Sequence, residues 1–145
     1  MRRLMLAVLA GVAGCDQSSE SDALLTAPAI TVAPSAEVQL KVGQSIRLTG
    51  PDLVLQFVAV PEDSRCPINA VCVWAGDARI ALVASGAVQR SFDLHFPTEQ
   101  VGPSKISLAA YEIEALALEP APIDGEPRRP DDYRVTLKVR RITSD

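Results

Sequence analysis

Residues 133 to 140 read YRVTLKVR, with Tyr133, Val135, Leu137 and Val139 alternating against Arg134, Thr136, Lys138 and Arg140. Successive side chains of a strand point to opposite faces, so this pattern buries one apolar face only as a β-strand; a helix would scatter it. The same period recurs at Val38, Leu40 and Val42 against Glu37, Gln39 and Lys41, and at Phe92, Leu94 and Phe96 against Ser91, Asp93 and His95. Gly43-Gln44 turns the first of these into Ser45-Ile46-Arg47-Leu48, and Gly50-Pro51-Asp52 precedes the apolar run Leu53 to Val60. Such a run suits a central strand covered on both faces. Ala78 to Ala84 is another apolar strand, closed by Ser85-Gly86, and Pro97 stops the pattern that ends at Phe96.

Lys105 to Leu118 is ambiguous, because its Ala, Leu and Glu are good helix formers. Tyr111, Ile113 and Ala115 nevertheless alternate with Glu112 and Glu114, and Pro120 and Pro122 follow closely, which favours a strand. The stretch PAPIDGEPRRPDD that follows reads as an exposed loop kept extended by its prolines. Six or seven short strands with turn residues between them specify an all-β fold, an antiparallel β-sandwich or small barrel. Neither βαβ alternation nor an internal repeat is visible.

The chain begins MRRLMLAVLAGVAGC: a basic start at Arg2 and Arg3, then an apolar run from Leu4 to Ala13. Ten residues are too few for a membrane-spanning helix, which takes about 20, but they suit the apolar core of a signal peptide. Val12-Ala13-Gly14-Cys15 resembles the bacterial lipobox, in which two small residues admit the chain to the protease and the following cysteine takes the lipid. The resemblance implies a leader of residues 1–14 and a diacylglycerol thioether on Cys15. With roughly 0.8 kcal/mol per buried CH₂, two or three acyl chains would anchor the protein stably. Residues 16 to 36, rich in Ser, Ala, Pro and acidic side chains, show no sustained period and read as a tether, on which Leu24, Leu25 and Ile30 are the residues able to dock. The reading gives a leader at 1–14, lipidated Cys15 and tether at 15–36, and one domain at 37–145.

Of the 14 Lys and Arg residues, Arg2 and Arg3 fall in the leader, leaving 12 against 18 Asp and Glu. A net charge near −6 argues against a nucleic-acid partner, since phosphate binding draws on clustered Lys and Arg. The basic pairs Arg128-Arg129 and Arg140-Arg141 are short, and read as solvated surface.

With Cys15 assigned to lipid, Cys66 and Cys72 are the remaining thiols. Export places them in an oxidising compartment, where two lone cysteines most often pair. Pro67 and Asn69 favour the turn that brings them together, and so short a loop contributes about 2.5 kcal/mol in the chain-entropy model. A redox pair and half of a metal site are the alternatives. The first usually has C-x-x-C spacing. The second needs further ligands, and His95 is the one histidine of the chain.

Around these cysteines the chain reads D-S-R-C-P-x4-C-V-W-A-G, from Asp63 to Gly76. This resembles the signature of a family of uncharacterised bacterial secreted proteins and lipoproteins. In that family an apolar strand enters the motif, a Gly-x-Ala strand leaves it, and a Tyr-x-Val-x-Leu-x-Val-like strand ends the chain. The resemblance spans residues 38 to 142 and implies export and fold, with no established activity. Within the motif, Asp63 and Arg65 are placed to pair, or Asp63 to cap turn amides. Trp74 is expected to cover the disulfide and the core edge, its indole N–H on a carbonyl. Gly76 is expected to allow a bulge or a positive φ. Ca²⁺ at Asp63, Asp77 and loop carbonyls would call for an oxygen-rich D-x-D-x-D spacing, which is missing.

No catalytic constellation is expected. His95 falls on the polar side of its strand, where a lone exposed histidine is ordinarily surface; Asp93 beside it, and Glu112 with Glu114, are produced by alternation alone. The sequence therefore points to a lipid-anchored envelope protein without cofactor or metal, whose β domain binds a protein, peptide or cell-wall component, or is structural. Thiol-redox or metal handling at Cys66 and Cys72, and a protease-inhibitor-like module presenting the cysteine loop, are the competing readings.

Overall fold

A computed structural model of the chain describes residues 29–31, 35–97 and 101–142. The expected leader at 1–14, Cys15, and Leu24 and Leu25 of the expected tether lie outside the described residues.

The fold is an all-β sandwich of two sheets. Its strands are β1 (Ala29–Thr31), β2 (Ser35–Lys41), β3 (Ser45–Thr49), β4 (Leu53–Asp63), β5 (Ala78–Gly86), β6 (Arg90–Phe96), β7 (Lys105–Leu108), β8 (Tyr111–Glu119) and β9 (Arg134–Arg141). One sheet runs β1-β3-β4-β5-β6 and the other β2-β9-β8-β7. Every ladder is antiparallel except β1 on β3, which is parallel.

Among the described residues nine strands replace the six or seven expected, for two reasons. Strand pairing already begins at Ala29, inside the stretch read as tether, because the outer edge of β3 offers unpaired backbone groups to any extended segment. The ambiguous Lys105–Leu118 stretch is a hairpin, β7 to β8, with Leu108 opposite Tyr111 and Ala109 in a left-handed conformation at φ 52°.

Alternation supplies the core. Leu48, Leu53, Leu55, Phe57, Ile80, Leu82 and Leu94 face inward from the first sheet, and Tyr111, Ile113, Val135, Leu137 and Val139 from the second. Fully burying a Leu, Ile, Val or Phe side chain contributes roughly 1.5–3 kcal/mol, so this layer is the main source of stability. Tyr111 is buried whole, and its hydroxyl donates to the carbonyls of Thr49 (3.1 Å) and Pro51 (3.3 Å), tying the sheets at one end.

The apolar run on β4 is not covered on both faces throughout. Val54 is buried, but Val58 is exposed, and the register against β5 shifts between Phe57 and Ala59 and again before Glu62. These irregularities let the strand pass through Pro61, which cannot donate to a ladder. A shift on β8 between Ala115 and Ala117 likewise moves the buried position from odd numbers to Leu118.

Candidate functional site

β4 ends at Asp63 and β5 begins at Ala78, paired with it, so residues 64 to 77 form a loop at one end of the first sheet. Its base is a buried polar knot. Arg65 donates from Nε to Asp63 Oδ1 and from Nη2 to Asp63 Oδ2, both at 2.8 Å, a two-pronged pair with side chains only 7% and 4% exposed. The same guanidinium crosses to the other sheet, Nη1 donating to Leu118 O at 2.6 Å and Nη2 to Pro120 O at 2.9 Å. The Tyr133 hydroxyl donates to Asp63 Oδ2 at 2.9 Å, and Arg128 Nη1 lies 3.7 Å from it. Asp63 also accepts from the Arg65 amide at 3.3 Å, so pairing and capping occur together.

Electrostatics follow from this geometry. Burial pushes the Asp63 carboxyl up, but the bonds from Arg65 and Tyr133 and the Arg65 charge outweigh it and hold the group below its ordinary value of 3.8. Burial first, then the bond to Asp63, pushes the Tyr133 hydroxyl above its ordinary 10.0. Fixed between two sheets, Arg65 therefore sets the loop's origin relative to both.

Above the knot, Cys66 and Cys72 form a disulfide with Cα atoms 5.9 Å apart. Backbone bonds close the loop's stem: Ser64 N to Asp77 O at 2.7 Å and Cys66 N to Ala75 O at 2.8 Å. Gly76 makes the return at φ 69°, and a Cβ there would fall 1.8 Å from Ser64 O, so both the conformation and the close approach require glycine. On its other flank the loop leans on residues 122–124, through Ile68 N to Pro122 O at 2.9 Å and Asp124 N to Asn69 Oδ1 at 2.8 Å.

Trp74 does not cover the disulfide or the core edge. It is 82% exposed, with Val71 and Val73 almost wholly exposed beside it and Ile68 largely so. The core edge is sealed by Arg65 and Tyr133 instead, and the Ala75 bond to Cys66 turns residues 71 to 74 outward. Val101, also exposed, joins Val73, Trp74 and Ala75 around an open groove with Ser64, Gly76 and Asp77.

His95 is likewise not a free surface side chain. Its Nδ1 lies 2.6 Å from Asp77 Oδ2, both side chains largely buried, and Gly102 sits so close that a Cβ would fall 2.2 Å from His95 Cδ2. Its amide donates to Pro103 O at 2.9 Å, so the pair joins the cysteine loop to the loop following β6. Asp93 pairs with Arg79 at 3.4 Å rather than with His95. The Ser64 hydroxyl is engaged by the Asp77 backbone, donating to its carbonyl at 3.0 Å.

Of the expected motif residues, the structure brings Asp63, Arg65, Pro67, Gly76, Cys66 and Cys72 into one stapled unit and turns Trp74 away from it. Among the described residues, no three His, Cys, Asp or Glu side chains gather as a metal site needs. The basic pairs are in part engaged: Arg128 reaches Asp63, and Arg140 bonds Glu112 at 2.9 Å, which holds that carboxyl below its ordinary value. Tyr133 belongs to the site without having been singled out for it, and Asp77 and His95, weighed above only as a Ca²⁺ ligand and a surface histidine, join it as a pair. Tyr133 carried a core signal, and only its place at the start of the last strand, beside the loop, hinted at a hydroxyl with a partner. Compared with protein-family models, curated proteins and solved structures, the chain matches none.

Proposed function

We propose that this protein is a lipid-anchored envelope β-sandwich that works by contact rather than catalysis, with the disulfide-stapled loop as its contact surface. The observation that carries the reading is the combination of a buried, doubly tethered base with an apolar tip. Asp63, Arg65 and the disulfide hold the loop from below, while Ile68, Val71, Val73 and Trp74 stand in solvent. Exposed large apolar side chains gathered at one place mark interaction sites far more often than chance, and tryptophan is over-represented where binding energy concentrates. The Ser64 hydroxyl is committed to main chain, and the His95 ring is largely buried against Asp77 and Gly102.

Two measurements test this. Cys15→Ser is expected to move the protein from the membrane to the soluble fraction. A photoreactive residue at position 71 or 73 is expected to form adducts in intact cells, while one at Glu37, exposed on β2, is not. Equal labelling from both faces would sink the contact surface, and a wild-type protein found soluble would sink the anchor. Thiol exchange is the second reading, favoured by the exposure of Cys72; a disulfide that cycles in vivo under mild reductant would support it.

A further inference from the structure

We infer that the partner of the stapled loop is a protein that lays a lysine side chain in the groove beside the loop tip, its ammonium on the free carboxylate oxygen of Asp77. This rests on the contact reading above and names the chemistry that the partner presents.

Ser64, Val73, Trp74, Gly76, Asp77 and Val101 line an open groove of about 550 Å³, ample for one long side chain. Asp77 is only 9% exposed, and its Oδ2 lies 2.6 Å from His95 Nδ1. Its Oδ1 is shielded from solvent and meets no hydrogen-bond donor among the described residues. The large majority of buried side-chain polar atoms have a partner, so this oxygen points to a donor from outside the chain. Val73 and Trp74 stand exposed at the rim, where side chains change rotamer fast enough to admit one.

The cations around the groove are engaged elsewhere. Arg65 is bound to Asp63 and to the Leu118 and Pro120 carbonyls. Arg79, two residues along β5, lies 3.4 Å from Asp93 and 3.7 Å from Glu62, and Arg128 reaches Asp63. From Cys66 to Gly76 there is no charged residue. An apolar groove with one carboxylate in its wall is the complement of a cation on an apolar stem.

The single free oxygen selects lysine over arginine. A guanidinium binds a carboxylate best through two parallel bonds, one to each oxygen, and His95 already holds the second oxygen. An ammonium is a compact charge that one oxygen satisfies. Its four-carbon stem can lie along Val73 and Val101, and Trp74 offers an aromatic ring to the cation.

Trp74 is the only tryptophan in the chain, which makes it a built-in reporter. The full chain as isolated from cells is titrated with N-acetyl-lysine amide, its Nε-acetyl derivative and N-acetyl-norleucine amide. Mildly alkaline buffer leaves the alkylammonium charged. The expected result is a saturable change in Trp74 emission, with the lysine compound bound about tenfold more tightly than either neutral one. That is the margin of a charge-assisted over a neutral hydrogen bond. Asp77→Asn keeps the side-chain shape and is expected to erase the margin; if it does not fold, the three compounds compared on the wild type decide alone. In intact cells, a photoreactive residue at position 71 is expected to label a protein, and to label it about tenfold less in Asp77→Asn. Equal affinity for the charged and neutral compounds overturns the inference, as does labelling of cell-wall material in place of a protein. If position 71 labels a protein while the lysine compound shows no advantage, the contact surface stands and the lysine falls. If neither occurs, both fall.

Discussion

Arg65→Ala removes a side chain that holds the loop base to both sheets, and its cost can be worked from the contacts it breaks. Asp63 would be left with a side chain 4% exposed, keeping only the Tyr133 hydroxyl at 2.9 Å, the residue-65 amide at 3.3 Å and Arg128 at 3.7 Å. Breaking a buried ion pair by deleting one partner costs about 3–5 kcal/mol, because the survivor remains charged and desolvated. The carbonyls of Leu118 and Pro120 lose their guanidinium donors as well, each a bond to a charged group worth about 1.5–3 kcal/mol. These contributions overlap, and residual help from Tyr133 and Arg128 blunts the first, so the expected loss is roughly 3–5 kcal/mol in all. Against a total stability of about 5–15 kcal/mol, that is severe.

Thermal and urea melts followed by circular dichroism measure it. At roughly 4–8 °C per kcal/mol for a domain of this size, the melting temperature should fall by roughly 12 °C or more. Arg65→Lys keeps the charge but cannot reach both Asp63 oxygens and two carbonyls, so it should fall between wild type and alanine. The acid limb offers a second readout. Asp63 is harder to protonate folded than unfolded, so its contribution is complete above the ordinary 3.8 and drains away as pH falls through the lower folded value. In Arg65→Ala that acid-side loss should flatten. A variant that melts within about 1 kcal/mol of wild type would show that the knot is decorative and refute the reasoning.

Gly76→Ala should destabilise by well over the roughly 1–2 kcal/mol of a left-handed alanine, since its Cβ also collides with the Ser64 carbonyl; a melt shifted by under 2 °C would count against the stem geometry. Cys66→Ala with Cys72→Ala should cost about 2.5 kcal/mol yet leave the domain folded, because the Arg65 bonds remain; reduction of the wild type should match it in a melt. Asp77→Ala strands a largely buried His95 and should cost about 1–3 kcal/mol by urea titration, whereas a fully tolerated change would mean the pair is incidental. Trp74→Ser should change stability by no more than about 0.5 kcal/mol, and a large loss in the same titration would mean the indole is packed after all.

What the sequence disclosed and what it withheld divide along physical lines. Alternation on Glu37–Val42, Ser91–Phe96 and Tyr133–Arg140 was enough for the strands, since period two has one structural solution. The Ala109–Ala110 turn was invisible because alanine at positive φ carries no turn signature, so one hairpin read as a single ambiguous stretch. β1 was missed because an edge strand recruited through backbone bonds needs no pattern of its own. In the motif, the Asp63–Arg65 pair was legible from a spacing of two residues, and Gly76 from chemistry. The outward Trp74 was not, because burial of an aromatic is a tertiary outcome: Arg65 and Tyr133, far apart in the chain, meet at Asp63 and seal the core edge there. Likewise His95 meets Asp77 at 18 residues' separation, across the β5–β6 hairpin and just beyond the start of β5, a contact that no strand period encodes.

The loop keeps stability and contact in different atoms. Most of what holds it lies at or below the disulfide: a buried arginine spanning the two sheets, a glycine return and backbone bonds from Ser64 and Cys66, with a flank bond from Ile68 to Pro122. Everything it presents lies above, in side chains that no described residue covers tightly. An apolar tip in water is a liability that folding alone would remove, since serine or threonine at positions 71 to 74 would leave the stem intact. On the proposed reading, a partner takes that apolar surface out of water.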